Sequence, residues 1–390
     1  MIRIEKEEFN NRVMILQDKM EENDLDAIMV YGDEYRKENL RYFTNFWPIF
    51  ERGALFIPRK GEPIYSGAPE GESYAREMGV WEDVRNIRDF FCVTVPTEID
   101  YPLAHFSALK DIVGEVMGSG NNLGIVGIHD MPAFLLEKIR NSKTNMSIYN
   151  ANHLVENLRL IKSPAEMACL REAGRIACEG YKKIIENAIP GNTERMVAGS
   201  AEGAARMAGA EAINFCVFGS GCRTNTVIGR DSFDKVIHDG DMIMAALAVQ
   251  YEGYTATAAY PFVVGKLSEE QKKFLSVLFE ASNVQIQYLQ SGQIAGEMVK
   301  AVKEVFRKHN LESYDLYPPL HGIGLAEAEL PYPDEHSDFS FRERMTVNSD
   351  ISLFKHPVGS NRIEEGFVIT KEEPESLTPF LRELCARGVD

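Results

Sequence analysis

The chain has 390 residues, 44% hydrophobic and 26% charged, a composition that excludes wholesale disorder and fibrous repeats. Its 42 Lys and Arg against 59 Asp and Glu give a net charge of −17, which argues against nucleic acid and anionic membrane surfaces as partners. The longest unbroken apolar run, Met242–Val249, has eight residues against the roughly 20 of a membrane span.

Arg3, Glu5, Lys6, Glu7 and Glu8 crowd the amino terminus, and no apolar signal-peptide core follows. The six cysteines, Cys92, Cys169, Cys178, Cys216, Cys222 and Cys385, show no Cys-x-x-Cys pair, so a reduced, cytoplasmic protein is expected. Val13, Leu16 and Met20 recur at helical spacing, and Ala27–Tyr31 reads as a strand ending at Gly32. Gly53–Pro58 and Pro63–Tyr65 flank Arg59-Lys60-Gly61-Glu62, which predicts a hairpin. Leu103–Met117 reads as a helix and Leu123–Ile128 as a strand. These elements predict a small α/β domain over residues 1–154, with a second domain over 155–390.

Ser163-Pro164-Ala165-Glu166 is a capping box with proline at the first helical position. Met167, Leu170, Gly174, Ala177, Tyr181 and Ile184 then form one helical stripe that stops at Pro190-Gly191. Ser268 with Gln271 caps a second helix running to about Leu289, and Ile294–His309 is a third. Strand-like runs cover Met242–Ala248, Pro261–Val264, Thr346–Leu353 and Glu365–Ile369, so the second domain is expected to be α+β, with helices on one side of a curved sheet.

Several phrases resemble the creatinase/aminopeptidase-P superfamily, whose catalytic half is the pita-bread fold. They are Leu158–Glu166, Pro190-Gly191-Asn192-Thr193-Glu194, Gly240-Asp241-Met242-Ile243 with Tyr251-Glu252-Gly253-Tyr254, His321-Gly322-Ile323-Gly324-Leu325, and Arg362-Ile363-Glu364 with Ile369-Thr370, in the family's order. The resemblance implies a creatinase-type amino-terminal domain, a pita-bread carboxy-terminal domain and a homodimer.

Metal-dependent members of that family hold two divalent cations with two aspartates, a histidine and two glutamates. On the matching positions this chain carries Ala246, Thr257, His321, Asp350 and Glu364. Alanine offers no lone pair and a neutral threonine binds such cations poorly, so no dinuclear metal centre and no cofactor are expected. His321, Asp350 and Glu364 remain as candidate catalytic groups. Phe50-Glu51-Arg52 resembles creatinase's Phe-x-Arg arm, where an arginine grips a substrate carboxylate in the partner's pocket. Arg223, Tyr254 and His356 are further candidates for lining the site. The creatinase histidine base has no counterpart in Ser220–Thr226, and its guanidino-binding glutamate falls near Ala259.

The resulting expectation is a metal-independent, creatinase-like hydrolase of a C–N bond in a small nitrogenous substrate or short peptide. A non-catalytic binding protein and an Xaa-Pro dipeptidase or aminopeptidase are the alternatives.

Overall fold

A computed structural model describes residues 2–91, 96 and 99–388; Cys92 lies outside them. Residues 4–159 form one compact unit, and residues 160–390 with 1–3 form the other.

The first unit holds a mixed sheet of β1 (Ala27–Asp33), β2 (Arg52–Pro58), β3 (Ile64–Gly67), β4 (Val84–Asn86), β5 (Asn122–Val126) and β6 (Ser147–Asn150), in the order β4-β3-β2-β1-β5-β6. Helix Lys6–Glu22 buries Val13, Leu16 and Met20, the stripe its spacing predicted. The expected helix over 103–117 begins only at Leu109. Phe106 forms a parallel bridge with Asn86, and Ser107 N–H donates to Asn86 O at 2.9 Å, so the sheet edge captures the segment before the helix starts.

In the second unit, β7 (Ala212–Ser220), β8 (Met242–Tyr251), β9 (Tyr254–Ala259), β10 (Phe262–Val263), β11 (Leu320–Gly322), β12 (Thr346–His356), β13 (Gly359–Val368) and β14 (Glu375–Ser376) form one sheet. Its order is β10-β8-β9-β13-β12-β11, with β7 paired to β8 and β14 to β13. Leu247, Val249, Ala256 and Ala258 pack against Ala173, Ile176 and Tyr181 of helix Pro164–Asn187. Val347, Ile351 and Ile363 pack against Phe274 and Leu278 of helix Glu269–Ile286 and Val302 of helix Ala295–Lys308. Burying each such aliphatic side chain contributes about 1.5–3 kcal/mol, so this face fixes the register. Because side chains alternate along a strand, Ala246, Thr257, Asp350 and Glu364 are turned to the opposite face.

Both capping boxes form, at Ser163/Glu166 and Ser268/Gln271. Gly174 has a packing reason: a Cβ there would lie 1.9 Å from Leu377 O. Helix Glu194–Met207, capped by Thr193, buries Val197, Ala198, Ala201 and Ala205.

Candidate active site

Strand pairing builds the site. Asp350 stands opposite Glu364, Glu364 opposite Ala259, and Asn348 opposite His321. Thr257 lies two residues before Ala259 on the same face of β9. The sheet thus gathers His321, Asp350 and Glu364 with Ala246 and Thr257, the positions the resemblance assigns to aspartates.

His321 is half of a short relay. Its Nδ1 lies 2.9 Å from Gly322 O; a carbonyl only accepts, so Nδ1 carries a hydrogen. That Nε2 is 3.4 Å from Asn348 Nδ2 and 3.8 Å from Glu327 Oε1, while the Thr257 hydroxyl donates to Glu327 Oε1 at 3.2 Å. The backbone around His321 is tightly turned. A Cβ on Gly322 would lie 2.1 Å from Leu330 O, and one on Gly324 would lie 2.4 Å from the Glu329 carboxylate. Glu329 in turn pairs at 2.7 Å with Lys162, whose side chain is 1% exposed. This pair ties the helix-opening phrase to the His321 loop.

Arg362 is the cation among these carboxylates. Nη1 donates to Glu364 Oε1, and Nη2 donates to Tyr317 OH at 2.6 Å. The guanidinium lies 5.4 Å from the Phe354 ring. Burial pushes the Glu364 carboxyl up; Arg362 opposes that shift, while Asp350 and Glu327 reinforce it. Burial and Asp350 likewise push the Tyr317 phenol up. Val217, Met244, Ala246, Ala259 and Phe354 form an apolar cluster beside the pair.

Three expected substrate contacts of this unit are engaged elsewhere. Tyr254 faces the helices, and its OH donates to Glu166 Oε1 at 2.8 Å, because the β9 alternation puts it on the apolar side. Arg223 is held 3.0 Å from the fully buried Glu194 and donates to Arg230 O, which commits it to the loop. His356 stacks on Phe274, 4.9 Å between centroids, after a register shift past Leu353 and a positive φ at Lys355 turn it to the helical side. Within the first unit, Arg52 is buried and donates to Phe91 O at 2.5 Å rather than extending as an arm, whereas Phe50 is exposed. The geometry adds Asn348, Glu327 and Tyr317, none of which lies in a quoted motif.

Residues 168–371 match metallopeptidase family M24, and residues 12–161 match the creatinase/prolidase N-terminal domain. The chain belongs to the metallopeptidase family M24. It is 24% identical over 376 residues to the Xaa-Pro dipeptidase of Pyrococcus horikoshii, covering 96% of this chain and 99% of that one. The crystal structure of the prolidase from that organism superposes with a TM-score of 0.81 at 22% identity, covering 94% of this chain and 98% of that one. An X-Pro aminopeptidase structure from Thermotoga maritima gives a TM-score of 0.81 at 21% identity, with 94% and 97% covered.

Despite the metal in the family's name, the M24 site here is a poor host for two divalent cations. Ala246 ends in a methyl group, the Thr257 hydroxyl is neutral and already directed at Glu327, and Glu364 is bonded to a guanidinium. The donor set does not fit the pair.

Proposed function

We propose that the carboxy-terminal unit is a metal-independent hydrolase of the C–N bond in a short peptide or comparable small amide. The observation that carries this reading is the strand register that puts His321, Asp350 and Glu364 on one face with Ala246 and Thr257, the positions the resemblance assigns to aspartates. The relatives named Xaa-Pro dipeptidase favour a dipeptide over the guanidino substrate of the creatinase resemblance. Ala259 points the same way, since it supplies no carboxylate for a guanidinium.

In this reading His321 Nε2 takes a proton from water as the water oxygen adds to the carbonyl carbon. The proton passes to the leaving nitrogen as the C–N bond breaks, giving a carboxylic acid and an amine. Arg362 offers positive charge where the oxyanion develops. A homodimer and a cytoplasmic location belong to the same proposal, and sedimentation equilibrium of the full chain tests the first.

The experiment is turnover of Xaa-Pro dipeptides, amides and guanidino compounds by EDTA-dialysed full chain. Cleavage unchanged by EDTA and lost in His321→Gln is expected. Cleavage abolished by EDTA and restored by Mn²⁺ would instead establish an Xaa-Pro metallopeptidase. Failure to turn over any compound would favour a binding protein, a second reading that the Arg362–Glu364 bond inside the site already supports.

A further inference from the structure

On the helical side of the second sheet, a cleft of ≈ 490 Å³ opens between the amino-terminal half of helix Glu269–Ile286 and the turn that joins β12 to β13. Small-molecule sites span roughly 300–1,000 Å³. The cleft shares no residue with the His321 face. Buried Phe274, Val277 and Leu311 and half-buried Val358 give it an apolar lining.

One polar group on that lining is fixed in place and unspent. His356 sits between Phe274, stacked at 4.9 Å, and the edge-on Tyr314 at 4.8 Å. Val358 N–H donates to its Nδ1 at 3.2 Å, so Nδ1 carries no hydrogen and the neutral ring bears its hydrogen on Nε2. Burial lowers the pKa of this imidazole, opposed by Glu270, and so favours the neutral ring. Among the described residues, no group accepts from Nε2–H.

Lys273 supplies a second donor, since its ammonium forms no ion pair among the described residues. The other polar groups there are committed: His309 Nε2 lies 2.8 Å from Glu280 Oε2, and the Ser276 hydroxyl donates to Lys273 O at 2.8 Å. Glu270 is the one carboxylate among the described lining residues. An N–H and an ammonium above apolar side chains fit an anion with an apolar body. One ammonium balances one negative charge, and a carboxylate offers an oxygen to each donor. A chain of net charge −17 repels anions in general, so these local donors must account for any that bind.

We propose that this cleft binds a small apolar monocarboxylate, its oxygens on His356 Nε2–H and the Lys273 ammonium and its hydrocarbon body against Phe274, Val277 and Leu311. The cleft fills whether or not the His321 face is hydrolytic.

Calorimetry on the full chain tests this, with 3-phenylpropionate and the uncharged 3-phenylpropanol as probes. 3-Phenylpropionate binds saturably, at one site per chain and at least about tenfold tighter than the alcohol. His356→Phe keeps a ring on Phe274 but removes the Nε2–H, and Lys273→Met removes the charge. Each, checked for folding by circular dichroism, weakens 3-phenylpropionate by about tenfold and leaves the alcohol unchanged. Glu270→Gln removes the opposing charge and tightens the carboxylate by about two- to fivefold. His321→Gln leaves it unchanged. Absence of saturable binding, or binding no tighter than that of the alcohol, overturns the inference. Full-strength binding in either folded donor variant overturns it too, and a loss in His321→Gln does so by placing the carboxylate on the other face of the sheet.

Discussion

Asp350 and Glu364 stand directly opposite one another on antiparallel strands β12 and β13, both on buried side chains. Two carboxylates at that spacing repel, and Arg362 donates to Glu364. Arg362→Met leaves Glu364 buried beside Asp350 with no countercharge. A loss of about 3–5 kcal/mol in urea unfolding is expected at neutral pH, as for other broken buried pairs. A loss below about 1 kcal/mol shows that the pair carries little of the site's stability.

Lys162 and Glu329 form a second buried pair, at 2.7 Å. Glu329 also accepts from Ala326 N–H at 3.2 Å, so the pair holds the loop that carries Glu327 to His321. Lys162→Met is expected to cost about 3–5 kcal/mol, whereas Lys162→Met with Glu329→Leu regains most of that loss. Denaturant midpoints of the two variants decide. A double variant no more stable than the single one places the cost in lost packing instead.

The first unit offers a pH test independent of the site. Glu51 is buried and pushed up to about 6 by that burial, although Glu70 N–H and Gly71 N–H donate to its carboxylate. A folded value raised above the unfolded one means the contribution is full below about pH 4.5 and is lost as pH rises through about 6. Glu51→Gln removes this titration and flattens stability between those values, where the parent chain falls by about 1–2 kcal/mol. Chemical unfolding at a series of pH values reads the slope. An unchanged slope in Glu51→Gln assigns the titration to another group.

Much of this architecture was legible in the chain. Ser163 with Glu166 and Ser268 with Gln271 announce helix starts through local bonds, which need no tertiary information. His321 and Glu364 lie in the quoted phrases and Asp350 at a matched position, and the strand register turns all three to one face. Tyr254 and His356 were misplaced for the complementary reason: one alternation on β9 and one register shift on β12 decide which side a residue faces. Arg223 and Arg52 looked available because an arginine's partners, here Glu194 and the Phe91 carbonyl, are distant in sequence.

Returning the lost charge should return the metal. Ala246→Asp with Thr257→Asp restores two anionic oxygens beside His321, Asp350 and Glu364. Mn²⁺ at a hundred times its dissociation constant is then expected to stabilise the double variant by about 2.7 kcal/mol, with no shift in the parent chain. Thermal melts with and without Mn²⁺ measure this. An equal shift in the parent chain removes the significance given to Ala246.

The metal content of the full chain, purified from cells grown with added manganese and zinc and then gel-filtered, goes most directly to the central claim. The account predicts no stoichiometric divalent cation by elemental analysis. A tightly held pair of cations per chain, lost on His321→Ala, would contradict it.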